Sequence, residues 1–463
     1  MEKIETEQKS LQRTTLIVAS LTNFASTFAA GSLNIAIPHI GTEFQVSATS
    51  VTWIVLAFLL ASALLAIPFG RIADMYGRRP ILKIGILLFC VTALLNIFSP
   101  NMPVFLLLRV LQGIGSAMIF STNTAILVDA YPPEKRGTVM GIGVAAVFTG
   151  SALGPVIGGM VTHAFGWRSI FILITALALV ALIMAVVKLP NISRDVSKER
   201  VNPASILLYV VSLGLFMYGL ATLTQNLLSY FLFAAGVLLL IVFVTHEIKT
   251  KVPVIDVLLF KNRDFSLSNL AALFNFAAVF AVIYLLSIYL QLARGFNADV
   301  AGLIMIAQPL VQAILSPVAG RLSDKKSPPA IASTGMAFCA AALFMFAFLD
   351  LQTSIIYIIG GLLLTGIGVA LFSTPNASMI MGSVESKNYG VAASMMSTSR
   401  MVGQVVGMAL LTIIVNAVIG NVPIAEVPPA SIVLDMRISF PIFGAICCVG
   451  IFVSLRRGIR RET

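Results

Sequence analysis

Residues 70–80 read GRIADMYGRRP, and residues 320–329 read GRLSDKKSPP. Each opens on Gly-Arg and carries an aspartate, Asp74 or Asp324, four residues after its first glycine. Each follows an apolar run with a proline near its end, AIPFG at 66–70 and SPVAG at 316–320. They lie 250 residues apart, and nearly the same distance recurs elsewhere. LTNFASTFAA from 21 is echoed by LFNFAAVFAV from 273, and GIGSAMIFSTN from 113 by GIGVALFSTPN from 366. Gly150 and Gly154 are echoed by Gly403 and Gly407. Matches that keep one offset along a chain mark an internal duplication, so the molecule is built of two related halves.

Both halves are made of membrane spans. The chain has 463 residues, of which 58% are hydrophobic and 11% charged, with a mean hydropathy of +0.99. A soluble domain carries about 25% charged residues, and a membrane-crossing helix needs about 20 mostly apolar ones. Such runs lie near 14–38, 51–70, 80–98, 104–128, 138–164, 169–189, 204–224, 229–246, 266–291, 300–320, 330–349, 354–380, 390–419 and 438–456. That predicts an all-α polytopic membrane protein with fourteen transmembrane helices and both termini on one side.

The cations orient it. Of the 30 Lys and Arg residues, 25 fall at the end shared with the termini, and 3 fall at the other: Arg168, Arg294 and Arg437. Cytoplasmic loops carry such an excess, so both termini are expected in the cytoplasm and the protein in the plasma membrane. The net charge of +11 is thus a topology signal, and no nucleic-acid partner is expected. The polar opening MEKIETEQKSLQ lacks the apolar core of a secretory signal, so the first span is expected to serve as an uncleaved anchor. Cys90, Cys339, Cys447 and Cys448 all lie inside apolar runs. No disulfide, metal site or cofactor is expected from them.

Each copy holds six spans in the same orientation, so the two bundles are related by an axis along the membrane normal. The spans near 204–224 and 229–246 are inserted between them. The expected domains are an N-terminal bundle over 1–190, a linker with the two extra helices over 191–265, and a C-terminal bundle over 266–463. In such transporters substrate binds between the halves near the midplane, and rocking alternates its access.

With these motifs on the page, the chain resembles the major facilitator superfamily along essentially its whole length. GRIADMYGRR fits the family's signature between the second and third helices, and LLLRVLQGIGSA at 106–117 its fourth-helix signature. The stretch from Gly141 through Gly150 to GPVIGG at 154–159 fits a fifth-helix signature found mainly in exporters. Fourteen spans with this set are similar to the drug:proton antiporter branch.

The resemblance implies roles. Asp74 and Asp324 would each meet the positive N-terminus of a helix in the opposite half, near Gly390 and Thr138. Gly70, Asp74, Gly77, Arg78, Arg79, Gly320 and Asp324 would then form a latch holding the inner side shut. The second copy lacks the second glycine. Arg109, Gln112 and Gly113 match the fourth-helix motif, and Arg109 is linked by resemblance to proton coupling. Gly150, Gly154, Pro155, Gly158 and Gly159 would give a close, pliable helix contact, because small residues let membrane helices approach and proline removes a backbone donor.

Arg109 and Arg400 are the cations within spans. An Arg near a helix centre costs roughly 2.5–3.5 kcal/mol on insertion scales, so Arg400 joins Arg109 as a coupling or substrate candidate. The family's helices 1, 4, 7 and 10 nominate Asn23, Thr27, Asn34, Asn123, Asn275, Tyr284, Ser373 and Asn376 for the substrate cavity. The branch usually carries an acid nine residues before the proline of its first helix; in AAGSLNIAIP that position is Ala29. No Asp or Glu falls at the centre of any run above. His39 and His163, near outer ends, are the other titratable candidates.

The expected function is a secondary active exporter of amphipathic drug-like compounds, coupled to protons and acting as a monomer. The alternatives are an exporter of an endogenous, anionic metabolite and a non-transporting sensor derived from a transporter. No nucleophile–base–carboxylate cluster suggests an enzyme, and no Gly-rich turn ends in the Lys-Ser/Thr of an ATP site.

Overall fold

A computed structural model describes residues 2–189, 202–223, 226–325, 327–384 and 389–457; at 2–8, 128, 133–138, 141, 324–325, 389–390 and 393–394 it describes the backbone alone. Fourteen helical segments are long and apolar enough to cross a membrane. The first half holds α1 (Glu2–Glu43), α2 (Ala48–Tyr76), α3 (Arg78–Asn96), α4 (Met102–Ala130), α5 (Pro133–Phe165) and α6 (Arg168–Lys188). The inserted pair is α7 (Pro203–Ala221) and α8 (Leu227–Lys249). The second half holds α9 (Arg263–Ile288), α10 (Ala298–Met305), α11 (Ala307–Lys325), α12 (Pro328–Phe346), α13 (Ile355–Gly382), α14 (Tyr389–Val418) and α15 (Pro429–Leu455). α10 and α11 share one span, and a short π-helical turn, Tyr289–Ala293, follows α9.

The duplication is visible in the glycine contacts. A Cβ on Gly85 would lie 3.0 Å from the Gly115 carbonyl oxygen, and one on Gly335 would lie 2.6 Å from that of Gly368. A Cβ on Gly113 would meet the Phe58 oxygen at 2.5 Å, and one on Gly366 the Gln308 oxygen at 2.5 Å. Small residues therefore set the α3–α4 and α2–α4 approaches and repeat them at α12–α13 and α11–α13.

The charged turn at 70–80 is shorter than its sequence suggests. α2 runs through Asp74 to Tyr76, α3 begins at Arg78, and Gly77 alone makes the bend at φ 101°. Its N–H still bonds the Ala73 carbonyl at 2.8 Å. An L side chain is strained at such a φ, which is why glycine stands there. In the second copy α11 continues to Lys325 and α12 starts at Pro328.

The two bundles meet at the end away from the termini, here the far end. The Ala48 N–H bonds the Val422 carbonyl at 3.0 Å, and the Ile424 N–H bonds the Val46 carbonyl at 3.0 Å. Thr412 bonds Thr52 at 3.0 Å, joining α14 to α2. Ser287 and Gln291 donate to the Asn34 and Ile35 carbonyls at 2.6 and 2.9 Å. α5 and α10 press together so closely that a Cβ on Gly302 would stand 2.1 Å from the Pro155 oxygen. The inserted α7 packs on both α2 and α14, flanking this seam.

Candidate transport pathway and its seal

At the near end, Asp74 accepts from Arg78 Nε at 3.0 Å, and Arg78 Nη1 donates to Asp129 at 2.6 Å. The tips of α2, α3 and α4 are thereby tied within one half. Asp74 and Asp129 are 42% and 57% exposed. Pairs this wet are worth about 0–1 kcal/mol, so they exchange partners at little cost. Arg71 donates to the Pro253 and Val254 carbonyls, and Glu247 accepts from the Val254 and Ile255 amides, pinning the segment after α8 to α2. Gly70 has room around it, the nearest atom to an added Cβ being 3.8 Å away, whereas a Cβ on Gly320 would press the Thr374 methyl at 3.3 Å. Arg79 opens α3 beside Arg78. α5 starts at Pro133 and not near Thr138, and α14 starts at Tyr389; the side chains at those starts and that of Asp324 lie outside the described ones.

Arg109 is buried in the far part of the first half. Its Nε donates to the Ile54 carbonyl at 3.2 Å, its Nη1 donates to Gln112 Oε1 at 2.6 Å, and its guanidinium lies 4.4 Å from the Phe58 ring centre. It fastens α4 to α2. Charge-assisted bonds and a cation–π contact are what make a buried guanidinium tolerable. Arg400, a third of the way along α14, has a buried Nε without a partner. Its neighbour Ser399 bonds Asn269 of α9 at 3.0 Å.

The fifth-helix glycines divide between two neighbours. Cβ atoms on Gly150, Gly154 and Gly158 would meet Thr27, the Phe28 carbonyl and Ser32 of α1 at 2.3, 2.9 and 2.6 Å. That contact lies inside one half. A Cβ on Gly159 would meet the Ala298 carbonyl of α10 at 2.2 Å. Only this last glycine, with Pro155 opposite Gly302, reaches the other half. Gly403 and Gly407 repeat the first contact against Leu273 and Ala277 of α9.

The cavity candidates separate by their hydrogen bonds. Asn123 bonds Thr22 and Asn23, both at 2.9 Å, Thr27 bonds the Asn23 carbonyl at 2.9 Å, and Asn23 reaches the Gly143 carbonyl at 3.5 Å. Asn376 receives Arg457 Nη1 at 2.5 Å and donates to the Ser268 carbonyl at 3.2 Å. These join helices. In contrast, Asn34 Oδ1, the Tyr284 hydroxyl and Ser373 Oγ are buried without partners, while the Asn275 amide is buried beside the Cys339 thiol. Unpaired buried polar atoms are costly, and these lie on α1, α9 and α13, with Arg400 on the adjoining α14. α9 touches all three of the others.

Three buried charges escaped the sequence reading: Glu247, 3% exposed at the end of α8, and Arg457 and Asp435. Arg457, counted there as a loop cation, is 3% exposed and bonds Ser268, Asn376 and Ser454. Asp435 is 2% exposed inside α15. The final run was set at 438–456, whereas the helix starts at Pro429 and takes in both Asp435 and Arg437. The Asp-Met-Arg triplet hid the span; a proline at the first helical position was the available signal. An acid thus does lie within a span. At the far end, His163 of α5 also stands 3.5 Å from Asp299 of α10. Among the described residues, no three His, Cys, Asp or Glu side chains converge as metal ligands would.

Two packed bundles of membrane-crossing helices, with unpaired polar atoms on the helices between them, define a membrane transporter and not an enzyme. The chain belongs to the Major Facilitator Superfamily, which it matches over residues 19–257 and 269–462. It is 28% identical to the riboflavin transporter RibZ of Clostridioides difficile, over 86% of this chain and 87% of that one. It is 29% identical to the multidrug resistance protein Stp of Mycobacterium tuberculosis, over 86% and 75% of the two chains. The crystal structure of a bacterial Spinster homologue, described as inward-facing and unoccupied, aligns at a TM-score of 0.70 and 16% identity, covering 97% of this chain and 96% of that one.

Proposed function

We propose that this protein is a secondary active exporter of amphipathic organic compounds, working by alternating access and driven by proton antiport. The observation that carries the reading is the asymmetry of the inter-half contacts. The far end is joined by backbone bonds at Ala48 and Ile424 and by the Gly159 and Gly302 approaches, while Asp74 is held by Arg78 within its own half. With the termini cytoplasmic, this is the inward-facing end of a rocking cycle. In the opposite state Asp74 exchanges Arg78 for the helix start near Gly390, and the far seam parts. Gly70, Gly77, Arg79, Gly320 and Asp324 belong to the same pair of near-end hinges.

The multidrug resistance relative supports drug export, and the fifth-helix glycines fit the exporter signature. Asn34 and Ser373 each keep one buried polar atom without a partner, and with Asn275 they are the substrate-facing groups, while Tyr284 turns to the small far-end cavity it shares with Asp435. Asn23, Thr27, Asn123 and Asn376 support the helices behind them. Export of a neutral or anionic metabolite is the second reading. The unpaired Nε of Arg400 and the riboflavin-transporting relative favour it.

Spin labels on the near-end tips of α2 and α14 test the cycle. Two interconverting distance populations, with the short one lost in Asp74→Asn, support it. A single distance under all conditions would refute it.

A further inference from the structure

Asp435 sits in a setting unlike that of any other acid described above. It is 2% exposed, and its one hydrogen bond comes from Ser439 Oγ, a turn along the same helix, at 3.4 Å. Among the described residues, no Lys, Arg or His pairs with it. Across from it lies Tyr284 of α9, whose hydroxyl is also buried without a partner. Both line an enclosed cavity of about 20 Å³. That has room for one water, which needs roughly 10–15 Å³.

The walls of that cavity tie it to the seal between the halves. Val415 comes from α14, Ile419 from the turn that ends it, Ile424 and Val427 from the loop before α15, and Ala48 from α2 of the opposite half. The Ala48 and Ile424 amides make the two backbone bonds of the far seam, to Val422 and Val46. Parting the seam would therefore remove one wall of the cavity and wet the carboxylate.

We propose that Asp435, with Tyr284 and one bridging water, is a proton-binding site whose occupancy closes the far seam. A carboxylate without a cation is costly to bury, whereas a carboxylic acid with hydrogen-bond partners is not. When the seam opens, Asp435 meets far-side water as the anion. One carboxylate oxygen takes a proton from far-side hydronium, leaving a water, Ser439 stays on the other, and the seam closes over a neutral pair. The site thus supplies a proton-binding acid that Ala29 does not. This rests on the transporter reading above, and its test needs no substrate.

Other groups near this end are accounted for. Arg294 bonds the Tyr289 hydroxyl and the Thr353 carbonyl, and Asp350 beyond α12 is fully exposed and held by the Gln352 amide. Arg437, on the helix of Asp435, lies toward Asp350. Cys447 on α15 and Cys339 on α12 bond the Met336 and Thr365 carbonyls, away from this cavity. His163, which stands by Asp299, and His39 on α1 are histidines at the same seam and are replaced in the assay, while Asp299 and Glu426, the acid beside the wall residues Ile424 and Val427, stay in every variant.

The experiment is a far-end distance measurement by electron–electron resonance. Labels replace Phe165 and Phe348, which are 80% and 76% exposed at the tips of α5 and α12. The full chain is placed in lipid nanodiscs, with its four cysteines replaced by alanine and His39 and His163 by glutamine. The closed fraction should rise as pH falls from about 8 to about 5, the closed-to-open ratio changing up to tenfold per pH unit. Asp435→Asn should hold the seam closed at every pH, and Asp435→Glu should keep the dependence with a moved midpoint. An unchanged profile in Asp435→Asn, or no pH dependence in the parent, overturns the proposal. Should the asparagine variant fail to fold, Tyr284→Phe and Asp435→Glu decide it: a midpoint unmoved in both overturns the proposal. A chain that moves no substrate but passes this test would refute the transport reading alone.

Discussion

At the scale of single residues, Arg109 shows how a costly buried group is accommodated. Its partners are the Ile54 carbonyl, the Gln112 oxygen and the Phe58 ring. Lysine cannot serve all three, because it lacks the planar fork. Arg109→Lys is expected to lose about 1–3 kcal/mol by leaving buried acceptors unmet, read as a lower melting temperature in detergent. Unchanged stability would mean that Ile54 and Gln112 find other donors. Gly77 gives a second prediction. Its φ of 101° excludes an unstrained side chain, so Gly77→Ala should cost about 1–2 kcal/mol and lower the melting temperature. The fourth-helix motif was legible in the sequence, since an arginine amid leucines stands out. Asp435 was not, because flanking charge moved the apparent start of its span.

At the scale of elements, the fifth helix was read as one seam and proves to be two. Gly154 packs on α1 within its half, whereas Gly159 faces α10 across the seam. Overpacking typically costs about 1–3 kcal/mol, but it should act differently at the two sites. Gly154→Val should lower stability. Gly159→Val should leave stability nearly unchanged and shift the molecule toward its far-open state, seen as a longer far-end distance between spin labels. Equal effects of the two substitutions on the far-end distance would contradict this division. The sequence shows that a glycine face exists but not which neighbour it meets, since both contacts use the same residue type. The charged turn is a similar case. Its Asp74 and Arg78 read as loop, yet helices run through both sides of Gly77, because alternating Gly-Arg and Asp-Met-Tyr do not break a helix that packing holds.

At the scale of the whole molecule, the duplication was the most legible feature. Identity of residues at a constant offset survives wherever glycines permit close approach, and those contacts recur in both halves. The conformational state was illegible, because it depends on contacts between distant segments, such as the Ala48 and Ile424 backbone bonds, that no residue type announces. It also turns on pairs worth little individually, such as Asp74 with Arg78, and it is what a transported molecule and a proton are proposed to bias. The central claim is that the chain couples movement of an organic compound to a proton gradient. Transport in proteoliposomes of the purified protein, with an imposed pH gradient and a panel of cationic, neutral and anionic dyes, tests it most directly. The account predicts gradient-driven movement that collapses when the gradient is dissipated and is lost in Asp74→Asn and Arg109→Ala. Dye binding with no gradient-driven movement in the wild-type protein would contradict it.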